Sequence, residues 1–230
     1  MKLTWLGHSG FRIEIADQIL LVDPWLSGNP MLPSERRAEA VAGATAILVS
    51  HGHSDHATDA PGLAKELKVP AVGIFDLMSW WEKSQGIAVV GFNKGGTIRL
   101  GEVAVTLVNA VHSSSIGGET GPVYAGHEAG FMIAGEGRTV YFSGDTDATA
   151  DMEVFEALHR PEIGLLSAGG LFTMDMARAA WAAKRYFNFR TVIPCHYRTF
   201  PLLEQSADVL KEGLPGVDVI EPEVLVPIEL

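Results

Sequence analysis

Four side chains able to bind a metal fall within six residues in His51-Gly52-His53-Ser54-Asp55-His56, directly after the run Ala46-Ile47-Leu48-Val49-Ser50. Neutral imidazoles with one carboxylate suit Zn²⁺ or a similar first-row ion, and a tight loop leaving a buried strand would gather them. The plainer reading is a polar, histidine-rich surface loop. Further along the chain, ligand-type residues stand where other apolar runs end: His112, Asp145 in Ser143-Gly144-Asp145-Thr146, and His196 after Pro194-Cys195. Ligands leaving separate strand ends can meet at one rim of a packed sheet, where rigid strands hold them better than long loops. One shared site explains this recurrence more simply than unrelated coincidences.

The elements that must position these residues are legible as short apolar runs. Residues 3–6, 11–15 and 19–22 read as an antiparallel meander. A Pro/Gly-rich connection over 23–43 follows, and then the buried strand that delivers the histidine motif. Residues 61–68 and 76–85 read as helices with a short strand, 71–74, between them. Strands are then expected at 103–108, 130–134, 139–142, 163–167 and 191–194, with a helix from about 174 to 186. Antiparallel strands in each half, with flanking helices, predict two packed sheets covered by helices.

Composition bounds what such a chain can be. Its 230 residues are 47% hydrophobic and 20% charged, enough for one large core and inconsistent with disorder. We read residues 1–230 as a single domain without internal repeats or linkers. No window approaches the ~18 uncharged apolar residues of a membrane span, and the start resembles a strand more than a signal peptide. The lone cysteine, Cys195, cannot form an internal disulfide, which agrees with a reducing compartment. A cytoplasmic protein, with no membrane partner, is the expectation. The net charge of −11, without a dense basic cluster, argues against a nucleic-acid partner. A small-molecule substrate is expected, and a homo-oligomer is compatible with the sequence.

His51-x-His53-x-Asp55-His56, followed by His112, Asp145 and His196, resembles the metallo-β-lactamase superfamily in order and spacing. The likeness covers nearly the whole chain. Trp5-Leu6-Gly7-His8-Ser9, Leu21-Val22-Asp23-Pro24, Phe172-Thr173-Met174 and Thr199-Phe200-Pro201 look like its small, stand-alone metal-dependent hydrolase branch, related to ascorbate-6-phosphate lactonase. The resemblance implies an α+β fold, a four-layer αββα sandwich whose two mixed or antiparallel sheets are flanked by helices. It also implies two divalent ions, Zn by preference, with Mn, Fe or Ni compatible with the same donors. His51, His53 and His112 would hold one ion; Asp55, His56 and His196 would hold the other; Asp145 would bridge them. A metal-bridged hydroxide would then attack an ester, a lactone or a related small-molecule bond, and Asp55 would orient it and move a proton. A phosphodiesterase or nuclease on the same dinuclear site is the alternative, and non-hydrolytic di-iron chemistry is a third class.

Supporting residues carry two readings each. Asp23 is either a carboxylate that orients a ligand histidine or an Asx turn before Pro24. His8 is a substrate contact or proton donor, or a structural histidine. Arg198 is an anion clamp or, by slight preference, a rim ion pair. Cys195 is expected to pack as a small hydrophobe. His127 and His159 have no partner motif, and Trp80-Trp81 and Met174/Met176 are expected in helix packing. Two departures from the family pattern bear on the pocket wall: Ser167-Ala168-Gly169-Gly170 replaces a Pro-x-Gly turn, and Glu128 stands where proline is frequent. The Gly- and Ser-rich stretch 113–124 is expected as a mobile flap.

Overall fold

Two seven-stranded mixed sheets repeat the same plan, one from each half of the chain except that the C-terminal strand joins the first sheet. The computed structural model describes all 230 residues. The first half runs β1 (Lys2–Gly7), β2 (Gly10–Ile15), β3 (Gln18–Val22), α1 (Arg37–Val41), β4 (Ala46–Val49), α2 (Ser54–Ala57), α3 (Ala60–Leu67), β5 (Ala71–Ile74), α4 (Phe75–Gln85) and β6 (Val89–Phe92). The second half begins with β7 (Thr97–Leu100), β8 (Val103–Asn109), a hairpin of β9 (Ser115–Gly118) and β10 (Gly121–Tyr124), β11 (Ala129–Gly135) and β12 (Arg138–Phe142). It continues with α5 (Asp151–His159), β13 (Ile163–Ser167), α6 (Met176–Tyr186), β14 (Thr191–Cys195), α7 (Asp208–Gly213), β15 (Asp218–Val219) and β16 (Pro227–Glu229).

The first sheet has the order β16-β1-β2-β3-β4-β5-β6, antiparallel up to β3 and parallel beyond it. The second has the order β15-β14-β13-β12-β11-β8-β7, parallel up to β12 and antiparallel beyond it. Sequence dictates this division. β4, β5, β13 and β14 are buried at every residue, as parallel strands covered on both faces must be. β2 alternates buried and half-buried residues from Phe11 onward, as a strand with one wetter face does. Helices α3 and α4 cover the first sheet, and α6 covers the second, with α5 and α7 against it. One continuous apolar cluster fills the space between the sheets, where Phe11 of β2 meets Phe142 of β12 at 6.3 Å between rings. The four-layer α+β sandwich expected from the sequence is the fold observed.

Three local features differ from expectation. α6 begins at Met176, two residues later than the periodicity predicts, because the Asp175 side chain accepts the Arg178 N–H at 2.7 Å and caps the helix there. The stretch 23–43 contains a 3-10 turn and α1. Within the Gly- and Ser-rich stretch 113–124, residues 115–118 and 121–124 pair as a hairpin outside both large sheets.

Candidate metal centre

Six polar residues follow strand ends on one edge of the sandwich: His8 after β1, Asp23 after β3, His51 after β4, His112 after β8, Asp145 after β12 and His196 after β14. Three of them, His8, Asp23 and His196, hold a left-handed backbone with φ of 52°, 44° and 57°. That conformation costs an L-residue about 1–2 kcal/mol and persists only where surroundings enforce it. Here the enforcement is visible: the His8 carbonyl accepts both the His196 N–H at 3.0 Å and the Trp5 indole N–H at 2.8 Å, which ties the two sheets' strand ends together.

The side chains converge in three overlapping groups, His51 with His53 and His112, Asp55 with His56, His196 and His8, and Asp23 with His51 and His56. Asp145 stands between the first two. Its Oδ2 lies 3.1 Å from His196 Nε2, 3.2 Å from His56 Nε2, 3.7 Å from His112 Nε2 and 4.0 Å from His51 Nε2. Its other oxygen lies 3.1 Å from the Ser167 hydroxyl. In the first group, His51 Nε2 and His53 Nδ1 are 3.0 Å apart. Two nitrogens bound to one tetrahedral ion at about 2.0–2.1 Å would sit about 3.3 Å apart, so the spacing fits. In the second, Asp55 Oδ2 lies 3.7 Å from His56 Nε2 and 3.6 Å from His196 Nε2.

Asp23 settles its two readings. It is fully buried, and its carboxylate accepts the Ser50 N–H at 2.7 Å, the Ser50 hydroxyl at 2.5 Å and His56 Nδ1–H at 2.7 Å. Because the Ser50 proton points to Asp23, Ser50 Oγ accepts from His51 Nδ1 at 2.9 Å. One carboxylate thereby leaves a lone pair on Nε2 of both His51 and His56, the tautomer that metal ligation needs. His8 is held by two bonds, Nδ1 to Thr199 Oγ1 at 2.8 Å and Nε2 to Asp55 Oδ2 at 2.9 Å.

Electrostatics divides the histidines in the same way. Burial pushes His51, His53 and His112 down, so all three are neutral imidazoles in their binding form. Burial also dominates at His8, lowering it to about 4 despite its bond to Asp55. At His56 and His196 burial is outweighed by Asp145, joined by Asp23 at the former and Asp55 at the latter; His196 rises to about 9 and His56 well above its ordinary value. Asp145 and Asp55 stay ionised against burial, because His196 stands beside both, with His56 adding to the hold on Asp145 and His8 to that on Asp55. One buried and one half-buried carboxylate thus demand positive charge between them, which protons or cations can supply. His56 Nε2 is buried without a hydrogen-bond partner and faces this point. The donor set, its convergence and this orphaned nitrogen fit a divalent metal centre.

Other residues find simpler places. Arg198 is exposed and turns over the Tyr197 ring at 5.7 Å, which itself stacks on Trp5. Cys195 is buried, and burial raises its thiol far above the range for a nucleophile. His127 is exposed beside Tyr124 and His159 sits in the last turn of α5. Met174 and Met176 are buried in the core, whereas Trp81 is buried and Trp80 is 45% exposed near the hairpin. Glu128 Oε1 accepts the His112 N–H at 3.2 Å, so this departure from the family pattern touches a candidate ligand's backbone. Sequence reasoning missed Ser50, Thr199 and the glycine of the motif. A Cβ on Gly52 would lie 2.7 Å from Ala125 Cβ and 3.0 Å from the Ser115 carbonyl, so the hairpin rests on the metal loop only because residue 52 is glycine.

Comparison with known proteins agrees with this geometry. The sequence profile of the β-lactamase superfamily domain matches residues 2–196, ending on the last candidate ligand. A UPF0173 metal-dependent hydrolase of Dinoroseobacter shibae is 66% identical over 230 residues, covering all of both chains. A metallo hydrolase from Ignicoccus hospitalis superposes with a TM-score of 0.84 at 29% identity, over 100% of this chain and 98% of that one. An isothiocyanate hydrolase from Delia radicum gut bacteria shares the fold, with a TM-score of 0.75 at 17% identity over 100% of this chain and 99% of its own. By profile, by full-length identity and by fold, the chain belongs to the β-lactamase superfamily and is a metal-dependent hydrolase.

Proposed function

We propose that the chain holds two divalent ions and hydrolyses an ester- or lactone-type bond of a small molecule. The observation that carries this reading is the position of Asp145 Oδ2, within 3.1–4.0 Å of an Nε2 from each of four histidines drawn from both ligand groups. A carboxylate oxygen so surrounded suits a bridge between two cations. His51, His53 and His112 would hold one ion and Asp55, His56 and His196 the other. When bound, such ions lower the pKa of water towards 7 and polarise a carbonyl oxygen.

The chain's own residues then have defined tasks. Asp23 and Ser50 fix the ring orientation of His51 and His56. Ser113 Oγ, 3.4 Å from His53 Nε2, faces the ring from the opposite side to His51. Asp55 is ionised, and its Oδ2 faces His56 and His196, so it can orient an attacking water. His8, neutral with a value near 4, donates Nε2–H to Asp55 while its Nδ1 accepts the Thr199 hydroxyl proton. In this reading His8 aims Asp55, beside the substrate-contact or proton-donor role considered from sequence.

The test is an activity screen of the metal-loaded protein across lactones, carboxylic esters, thioesters, phosphodiesters and β-lactams, with Asp55→Ala as control. Turnover confined to acyl compounds and lost in the variant is the expected result. Preference for phosphodiesters would replace the acyl reading with the phosphodiesterase one.

A further inference from the structure

Apolar side chains stand beside the candidate metal centre, within a lining that also holds carboxylates, a threonine and an arginine. On one side, the Trp25 ring lies 5.3 Å from His8 and the Phe200 ring 6.0 Å from it, with 6.2 Å between the two. His8 in turn lies 4.0 Å from the candidate ligand His196. On another side, a cavity of about 370 Å³ is bounded by Val111, Leu171, Phe172 and Arg178 with the carboxylates of Asp147 and Asp175. Val111 precedes His112, Asp147 follows Asp145 by two residues, and Gly170 follows Gly169, where a Cβ would collide with the His196 carbonyl, so the cavity's lining is continuous in the chain with residues at three of the ligands.

Two features of that wall are costly for a soluble surface. Leu171 is 73% exposed and Phe172 56% exposed, and Leu171 holds a left-handed φ of 55°. The turn is nonetheless rigid: Gly170 N–H donates to the Met174 carbonyl at 2.9 Å, and Met174 N–H to the Thr146 carbonyl at 3.3 Å. Exposed apolar groups presented by a strained, fixed turn beside a reactive centre mark a binding surface. Charge points the same way. Arg178, the one basic residue lining the cavity, is tied to Asp147 at 2.6 Å, and Arg198 faces Tyr197. An anionic substituent would meet the Asp147 and Asp175 carboxylates and a net charge of −11.

We propose that the substrate carries an uncharged apolar acyl group, which seats against Trp25, Phe200, Leu171 and Phe172 while its carbonyl faces the metal centre. The proposal rests on the acyl-hydrolase reading. Water oxygen bonds to the acyl carbon, the acyl carbon–oxygen bond breaks, and a water proton passes to the departing alkoxide, giving an uncharged alcohol and a carboxylic acid. The phosphate-bearing sugar lactones to which the sequence branch is related have no obvious holder in this wall.

The experiment compares 4-nitrophenyl acetate, butyrate and hexanoate, and a terminally carboxylated ester of hexanoate length, on metal-loaded wild type, Trp25→Ala and Phe200→Ala. Full burial of a methylene corresponds to about a fourfold gain and a half-open wall to about twofold, so kcat/KM should rise about fourfold or more per added pair of methylenes. Both variants should flatten that rise, and Phe200, at 37% exposure, is a site where truncation leaves the core intact. Binding of 2-butanone, 2-hexanone and 2-octanone, inert to hydrolysis, is followed in parallel by calorimetry. A flat series in wild type, or preference for the carboxylated ester, overturns the proposal and leaves the acyl reading standing. If no ester turns over, chain-length-dependent ketone binding that Phe200→Ala abolishes upholds the apolar wall while the acyl reading falls; absence of ketone binding overturns the proposal.

Discussion

Replacing Asp23 by Asn should weaken both proposed metal sites at once, although residue 23 is not among the ligands proposed for either. Asp23 offers acceptors alone, and three donors reach it: Ser50 N at 2.7 Å, Ser50 Oγ at 2.5 Å and His56 Nδ1 at 2.7 Å. Asn keeps one acceptor oxygen and brings two donors of its own. With that oxygen on the Ser50 N–H, the amide NH₂ faces both His56 Nδ1 and the Ser50 hydroxyl. His56 can meet it only by moving its proton to Nε2, the atom 3.2 Å from Asp145 Oδ2. Ser50 in turn swings its proton towards His51 Nδ1, which drives His51 into the same unsuitable tautomer. Each hydrogen bond to a charged acceptor contributes about 1.5–3 kcal/mol, so metal affinity should fall about 10- to 100-fold. Competition with a chromophoric chelator, on protein whose fold is checked by circular dichroism, measures both affinities. Loss at one site alone would limit the relay to His56. Affinities within about threefold of wild type at both sites would refute the tautomer argument.

Asp55→Ala should lower turnover by about 100-fold or more and weaken one metal, since general acid–base groups contribute about 10²–10⁴; wild-type rates in a metal-replete variant would remove Asp55 from the mechanism. Gly52→Ala should destabilise the fold by about 1–3 kcal/mol, because its Cβ would press on Ala125 and Ser115, and should speed amide exchange in β9 and β10; unchanged melting and exchange would show that the hairpin does not rest on the metal loop.

Much of this architecture is legible because the sequence is locally consistent. β5 and β13 coincide with their apolar runs, since parallel strands buried on both faces take continuous stretches of apolar and small residues. β6 and β7 are short and half-exposed, β15 and β16 shorter still, and such elements carry little periodicity. The 115–124 hairpin hides behind Gly and Ser content that also suits a loop. His51, His112, Asp145 and His196 are readable because each follows a strand, and His53, Asp55 and His56 because they crowd the same motif, but the bonds that orient them are not. Asp23 reaches Ser50 and His56 across 27 and 33 residues, and Thr199 reaches His8 across 191. The Asp23 pairings exist only once β3 and β4 lie side by side in the first sheet, and the Thr199 pairing only once the two sheets have met. Arg198 shows the converse: it stands two residues after His196 in sequence, but its guanidinium lies over the Tyr197 ring at 5.7 Å.

The central claim is that Asp145 bridges two ions held by ligands from both sheets. Metal content by elemental analysis of the reconstituted chain, joined to anomalous scattering at the metal edges, tests it most directly. Two ions per protomer flanking Asp145 Oδ2, one beside His51, His53 and His112 and the other beside Asp55, His56 and His196, is the predicted result. A single ion at full occupancy, or none after reconstitution, would contradict the account.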